Sequence, residues 1–219
     1  MVNLIVNKIV ADLSLSLPFV DKITGIVKTA SIQVSDSVKT LPIALNLDPT
    51  TCNDSQLLDF VPDSSKTSII YFEDRGTSVQ KMENSSIYFT SNFTLVCWFN
   101  YLKVDHMLTN TSLIAGNLIK YLPEVIGNIS PLAGIFLSVT GQQSNDGSVF
   151  SKYSYLEEIS QHITYPYGYV ALDLTAEYHV RKECIPDIGS DPDPCEPTYQ
   201  APQATPLTAD LTTITADQI

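Results

Sequence analysis

With 219 residues, 44% of them hydrophobic, the chain is long enough to bury a sizeable core and too apolar for wholesale disorder. Its 12 Lys and Arg against 24 Asp and Glu give a net charge of −12, which repels phosphate backbones and argues against conventional nucleic-acid binding. The apolar runs around Phe93–Phe99 and Ile135–Val139 fall far short of the roughly 20 residues a bilayer crossing needs, so no membrane partner is expected.

In chain order, Val2, Ile5, Val6, Ile9, Val10 and Leu13 recur at helical spacing and predict an opening helix that ends before Pro18. Lys8 and Asp12 interrupt what would otherwise read as a signal-peptide core, and no basic segment precedes it. From Ile23 to Val34 the period changes to two: Ile26, Ala30, Ile32 and Val34 share a face opposite Thr29, Ser31 and Gln33, as in a half-buried strand. Thr40–Leu47 is a second strand, with Pro42 marking an edge or a strand start. Asp48–Ser65 reads as a long loop, and Ile69–Glu73 as a short strand closed by a turn at Asp74-Arg75-Gly76. Ile87–Val104 carries the densest β signal, apolar on both faces and therefore central and covered on both sides.

A second helix is predicted from Leu113, Ile114, Leu118, Tyr121, Leu122 and Val125. Asn110, Thr111 and Ser112 are suitable caps, Gly127 is the stop, and Pro123 kinks the helix or opens a separate last turn. Ile135–Thr140 is a short strand followed by an exposed loop at Gly141–Gly147. Tyr169–Val180 alternates, with Val170, Leu172, Leu174, Ala176, Tyr178 and Val180 inward and Asp173, Thr175, Glu177 and His179 outward. The fold class expected is α+β: a mostly antiparallel mixed sheet flanked by two helices over residues 1–186. An extended Pro/Asp-rich C-terminal arm follows over residues 187–219. From Glu183 to Ile219 there is no Lys or Arg, and Leu207, Leu211, Ile214 and Ile219 are spaced as anchors for an oligomer interface.

The residues that could carry chemistry form no recognisable motif. His106, His162 and His179 lack metal-binding spacing, and no nucleophile elbow, phosphate loop or calcium loop is present, so no enzyme, metal or cofactor is expected. Glu73-Asp74 and Glu157-Glu158 are adjacent carboxylates, which on a surface are more often solvated than catalytic. His162 and Asp173 make a triad only on paper. The tyrosines 153, 155, 165, 167 and 169 suit sheet packing or a subunit contact better than base or sugar stacking. Cys52, Cys97, Cys184 and Cys195 show no zinc spacing and are expected to be reduced, with Cys184–Cys195 the one conceivable bridge. The Asn-x-Ser/Thr sequons at Asn53, Asn84, Asn92, Asn110 and Asn128 carry little weight without a signal peptide, and Asn92 is expected in a buried strand.

Three stretches carry a resemblance to a known family: the opening helix running into Leu17-Pro-Phe-Val-Asp-Lys-Ile, the passage Phe60 to Asp74, and the ending Tyr165 to Tyr178. With the order of elements, they resemble neck and tail-completion proteins of tailed bacteriophages, most of all the tail-terminator type of ring subunit. The Asn/Ile/Ser/Thr-rich style is similar to phages of Bacteroidetes hosts, including the crAss-like group. The resemblance is architectural, spans roughly residues 1–183, and leaves the arm as a departure from a minimal terminator.

It implies a structural virion protein, assembled in the bacterial cytoplasm as a sixfold or twelvefold homo-oligomeric ring. Its partners would be adjacent portal, neck or tail proteins, and DNA would pass through a negative channel without specific binding. The alternative is a surface binding module of a virion or cell, adhesin-like or lectin-like.

Overall fold

Alternating apolar side chains along four long strands decide the architecture. The computed structural model describes residues 1–34, 37–46, 58–104, 110–144, 148–154, 162 and 164–185. Within them lie α1 (Val2–Ser16), β1 (Lys22–Val34), β2 (Ser37–Ala44), β3 (Ser68–Met82), β4 (Ser86–Asn100), α2 (Thr111–Tyr121), β5 (Val125–Ile129), β6 (Leu132–Ser144) and β7 (Tyr167–Arg181). The strands form one mixed sheet in the order β2-β1-β3-β4-β7-β6-β5, antiparallel except where β1 meets β3. The fold is therefore α+β, as expected. Among the described residues no helix is long and apolar enough to cross a membrane.

One face of the sheet carries the main core. Phe72 of β3, Leu95 and Cys97 of β4, and Leu172 and Leu174 of β7 pack against the stripe Ile5, Val6, Ile9 and Leu13 of α1 and against Ile114 and Leu118 of α2. The opposite face holds a second, smaller core at one end only. There Ile69, Tyr71, Val96, Trp98 and Tyr169 are covered by Phe60 from the segment before β3 and by Val149, Phe150 and Tyr153 from the segment before β7. β4 is thus buried on both sides from Phe93 to Asn100, as its composition requires. The inward and outward sets predicted for β7 are those observed.

Several boundaries differ from expectation. Asp74-Arg75-Gly76 is no turn. β3 runs on to Met82 through a bulge at Arg75, where Gly76 adopts φ +106°, a conformation that suits glycine. Pro123 neither kinks α2 nor opens a new turn, because the residue before a proline is driven out of the helical region. Leu122 is extended (φ −73°, ψ 129°), the helix stops at Tyr121, and Val125 and Gly127 belong to β5, a strand the sequence did not announce. Asn110 caps α2 as predicted, its side chain accepting from Leu113 N–H at 2.9 Å. β6 continues past Gly141 to Ser144 alongside β7. A Cβ at Gly141 would sit 2.9 Å from Asp173 Oδ2, so glycine here permits close strand approach rather than a loop. Asn92 lies in β4 but is exposed, accepting from Thr175 Oγ1 at 2.9 Å.

The cysteines also depart from expectation. Cys97 is free and fully buried, and burial pushes its thiol well above the ordinary range. Cys184, buried in a 3-10 turn at the end of β7, is disulfide-bonded, so four reduced thiols is not the observed state. Bridging needs Cα atoms within about 7 Å, a property of the tertiary structure that residue spacing does not carry. The bonding partner and the predicted arm, residues 187–219, lie outside the described residues.

Two outcomes follow from this packing. Leu95→Ala should cost about 2–5 kcal/mol, read as a lower urea midpoint with an unchanged slope. Thiol titration of denatured, non-reduced protein should find at most two reactive groups, and Cys97 should react only after unfolding.

Candidate functional site

The second core ends abruptly halfway along the sheet, and what stops it is polar. Glu73, 3% exposed, accepts from Tyr153 Oη at 2.7 Å and is met by Lys152 Nζ at 2.5 Å and Arg75 at 3.3 Å. Arg75 Nε donates to Thr94 Oγ1 at 3.1 Å, and Thr94 Oγ1 donates to Asp173 Oδ1 at 2.8 Å. A buried carboxylate is tolerable only with such partners. The chain of contacts crosses β3, β4 and β7 and pins the segment before β7 onto the sheet. That segment also reaches β2, where Ser154 N–H donates to Thr40 O at 2.9 Å and Thr40 N–H to Ser154 Oγ at 2.6 Å. The cover before β3 is fastened separately. Lys66 Nζ bonds Asp63 at 2.7 Å, Val61 O at 2.9 Å and Leu58 O at 3.1 Å, while Ser65 N–H donates to Asp63 at 2.7 Å.

Beyond Glu73 this face of the sheet is open. Lys81, Tyr88 and His179 lie in one cross-strand row, with Lys81 Nζ 4.2 Å from the Tyr88 ring centroid and the Tyr88 and His179 rings 5.3 Å apart. Glu83 accepts from Lys81 at 2.7 Å and from Tyr88 at 3.1 Å; these bonds raise the Lys81 pKa and lower that of Glu83. With Gln80, Thr90, Phe136 and Glu177, the row lines an open groove of about 530 Å³. At the far end, Phe136 (57% exposed) pairs with Val125 (60%). Together with Ile119, Leu122 and Val139 they border a second open groove of about 640 Å³ between α2 and the β5–β6 hairpin. Apolar side chains left uncovered side by side are the usual mark of a contact surface.

The residues singled out from sequence are dispersed. Glu73 points into the buried network, whereas Asp74 accepts from Gly76 N–H at 2.7 Å, so the adjacent carboxylates share no cleft. His162 packs edge-on against Tyr167, and its carbonyl accepts from Trp98 Nε1 at 2.6 Å. Asp173 is engaged six residues further along β7 by Thr94, about 20 Å from Tyr167 at strand spacing, so no triad forms. Tyr153 and Tyr169 are buried and Tyr167 stacks on Trp98, so these three serve packing, while Tyr165, 81% exposed, stacks on Tyr101. Among the described residues no group of three or more His, Cys, Asp or Glu could hold a metal ion. Leu207, Leu211, Ile214 and Ile219, with His106, Glu157, Glu158 and Tyr155, lie outside the described residues. Sequence reasoning missed Val125 and Phe136, because β5 was hidden by the helical reading of its first residue.

No protein-family model matches this chain, and no curated protein matches it in sequence.

The Asp63 fastening gives a pH test. Burial alone would raise its pKa, but hydrogen bonds from Lys66 and Ser65 together hold it below the ordinary 3.8. A carboxylate depressed in the folded state stabilises fully above its unfolded pKa and loses that contribution as pH falls through the folded value. Asp63→Asn should therefore unfold at lower urea than the wild type at pH 7, with the gap closing in strong acid.

Proposed function

We propose that this chain is a structural subunit of a homo-oligomeric ring in the neck or tail of a tailed bacteriophage. In that place it joins neighbouring ring proteins around the channel through which DNA passes. The observation that carries this reading is the pair of unlike, uncovered margins on one sheet. On one side are Phe136, Val125, Ile119 and Val139; on the other, the outer half of β3 with Val79 and Met82, and β2 with Val38. Two different surfaces on one molecule associate head to tail, and such contacts close into rings when the rotation per copy permits.

The element order and the three stretches similar to tail-terminator proteins supply the viral setting. A net charge of −12 suits a channel wall that lets a duplex slide. The alternative, a surface binding module, is favoured by the Cys184 disulfide, a bond more at home in oxidising surroundings, and by the aromatic groove beside His179.

Light scattering and negative-stain imaging across a concentration series test the ring. Closed particles of one size are expected. Phe136→Asp should abolish them while changing folding stability by no more than about 0.5 kcal/mol, since the side chain is exposed. A wild-type chain that stays monomeric at every concentration and binds glycans would overturn the ring in favour of the binding module.

A further inference from the structure

Among the described residues, the outer half of β3 is an open strand edge. β1 pairs with β3 only as far as Ile26–Phe72 and then continues with β2, so Asp74–Met82 has no backbone partner beyond β4 among the described residues. All nine of these residues are exposed. Register irregularities beside Gly76 and before Lys81 leave Gly76–Val79 as a regular run. An edge of this kind is a template for a further strand. Val79 (55% exposed) and Met82 (69%) lie in rows with Phe89 and Ile87 on the side of the main core, yet nothing covers them.

We infer that the C-terminal segment of one copy adds as a strand to this β3 edge in the neighbouring copy; the inference rests on the ring reading above. The chain leaves the described residues at Ile185, beside the β3–β4 tip, where Lys182 N–H donates to Ser85 O at 2.9 Å. The 34 residues that follow (219 − 185) contain no Lys or Arg. Their sequence Leu207-Thr-Ala-Asp-Leu-Thr alternates Leu207, Ala209 and Leu211 against Thr208, Asp210 and Thr212, the pattern of a strand with one covered face. The apolar set matches the uncovered Val79 and Met82.

Length puts the neighbour within reach. Residues 186–206 include six prolines, and proline-rich chain extends about 3.1 Å per residue, roughly 65 Å in all. The chain's own β3 edge lies only two strand spacings from β7, about 10 Å. A domain of this size is about 40 Å across. With Cys195 as the partner of Cys184, the stretch Glu196–Pro206 would still reach about 34 Å, enough to pass to a neighbouring copy.

The test mixes two full-length populations, Val79→Cys and Leu211→Cys, under mild oxidation. An inter-chain cross-link present in the mixture and absent from either variant alone is expected, as is loss of the ring on deleting residues 201–219 with no change in Tm. Val79→Lys should weaken assembly in the same way. If the wild type forms rings but the deletion assembles normally, or the mixture gives no cross-link, the strand-exchange inference falls and the ring stands. A double variant that cross-links only within its own chain on dilution also overturns exchange. If the wild type never assembles, both fall.

Discussion

Everything in this fold depends on β4 being apolar on both faces. From Phe93 to Phe99, successive side chains alternate between the two sides of the sheet, and no surface strand can bury both sets. β3 and β7 occupy its two edges, with fifteen residue pairs between β4 and β7 in unbroken register. Each face then needs a cover. The helices supply one, because α1 and α2 each present an apolar stripe, and burial of this kind contributes about 25 cal/mol per Å² of apolar surface removed from water. The other cover is improvised from two short segments that each bring one or two aromatic side chains, Phe60 from one and Phe150 and Tyr153 from the other.

Because that second cover is short, the sheet outruns it. The position where burial stops is marked by Glu73, Arg75, Thr94 and Asp173, linked by hydrogen bonds and an ion pair across three strands. The network does two jobs with one set of groups. It satisfies a carboxylate 3% exposed, and it ties down the segment carrying Lys152 and Tyr153. Past it, β4, β7 and β6 project covered on one face only, while the outer half of β3 beside them is exposed, and the aromatic groove belongs to this projection. Surfaces available to a partner are thus a consequence of where the small core ends.

In the proposed ring, a head-to-tail contact would use such asymmetry directly. The β5–β6 margin offers apolar side chains, and the β3 margin offers backbone groups unpaired among the described residues, with a few apolar neighbours. These are different kinds of attraction, one non-directional and one directional; in the proposed assembly the second would set register and the first supply area.

Much of the fold was legible in the residues because it rests on local periodicity. The stripe of α1, the two-sided β4 and the alternation of β7 each repeat often enough that one arrangement buries them all. Asn110 could be read as a cap because capping is a matter of a few adjacent residues. What the sequence could not decide depended on neighbours distant along the chain. Gly76 and Gly141 looked like turn residues, and only strand pairing shows that one relieves a bulge and the other makes room for Asp173. Val125 fitted a helical stripe until Pro123, acting through Leu122, cut it off. Glu73 and Asp74 are neighbours in sequence yet face a buried network and solvent respectively, a separation that pleating imposes and composition cannot express. The Cys184 bridge and the exposed pair Val125–Phe136 are likewise facts of distance and coverage, which only tertiary structure creates.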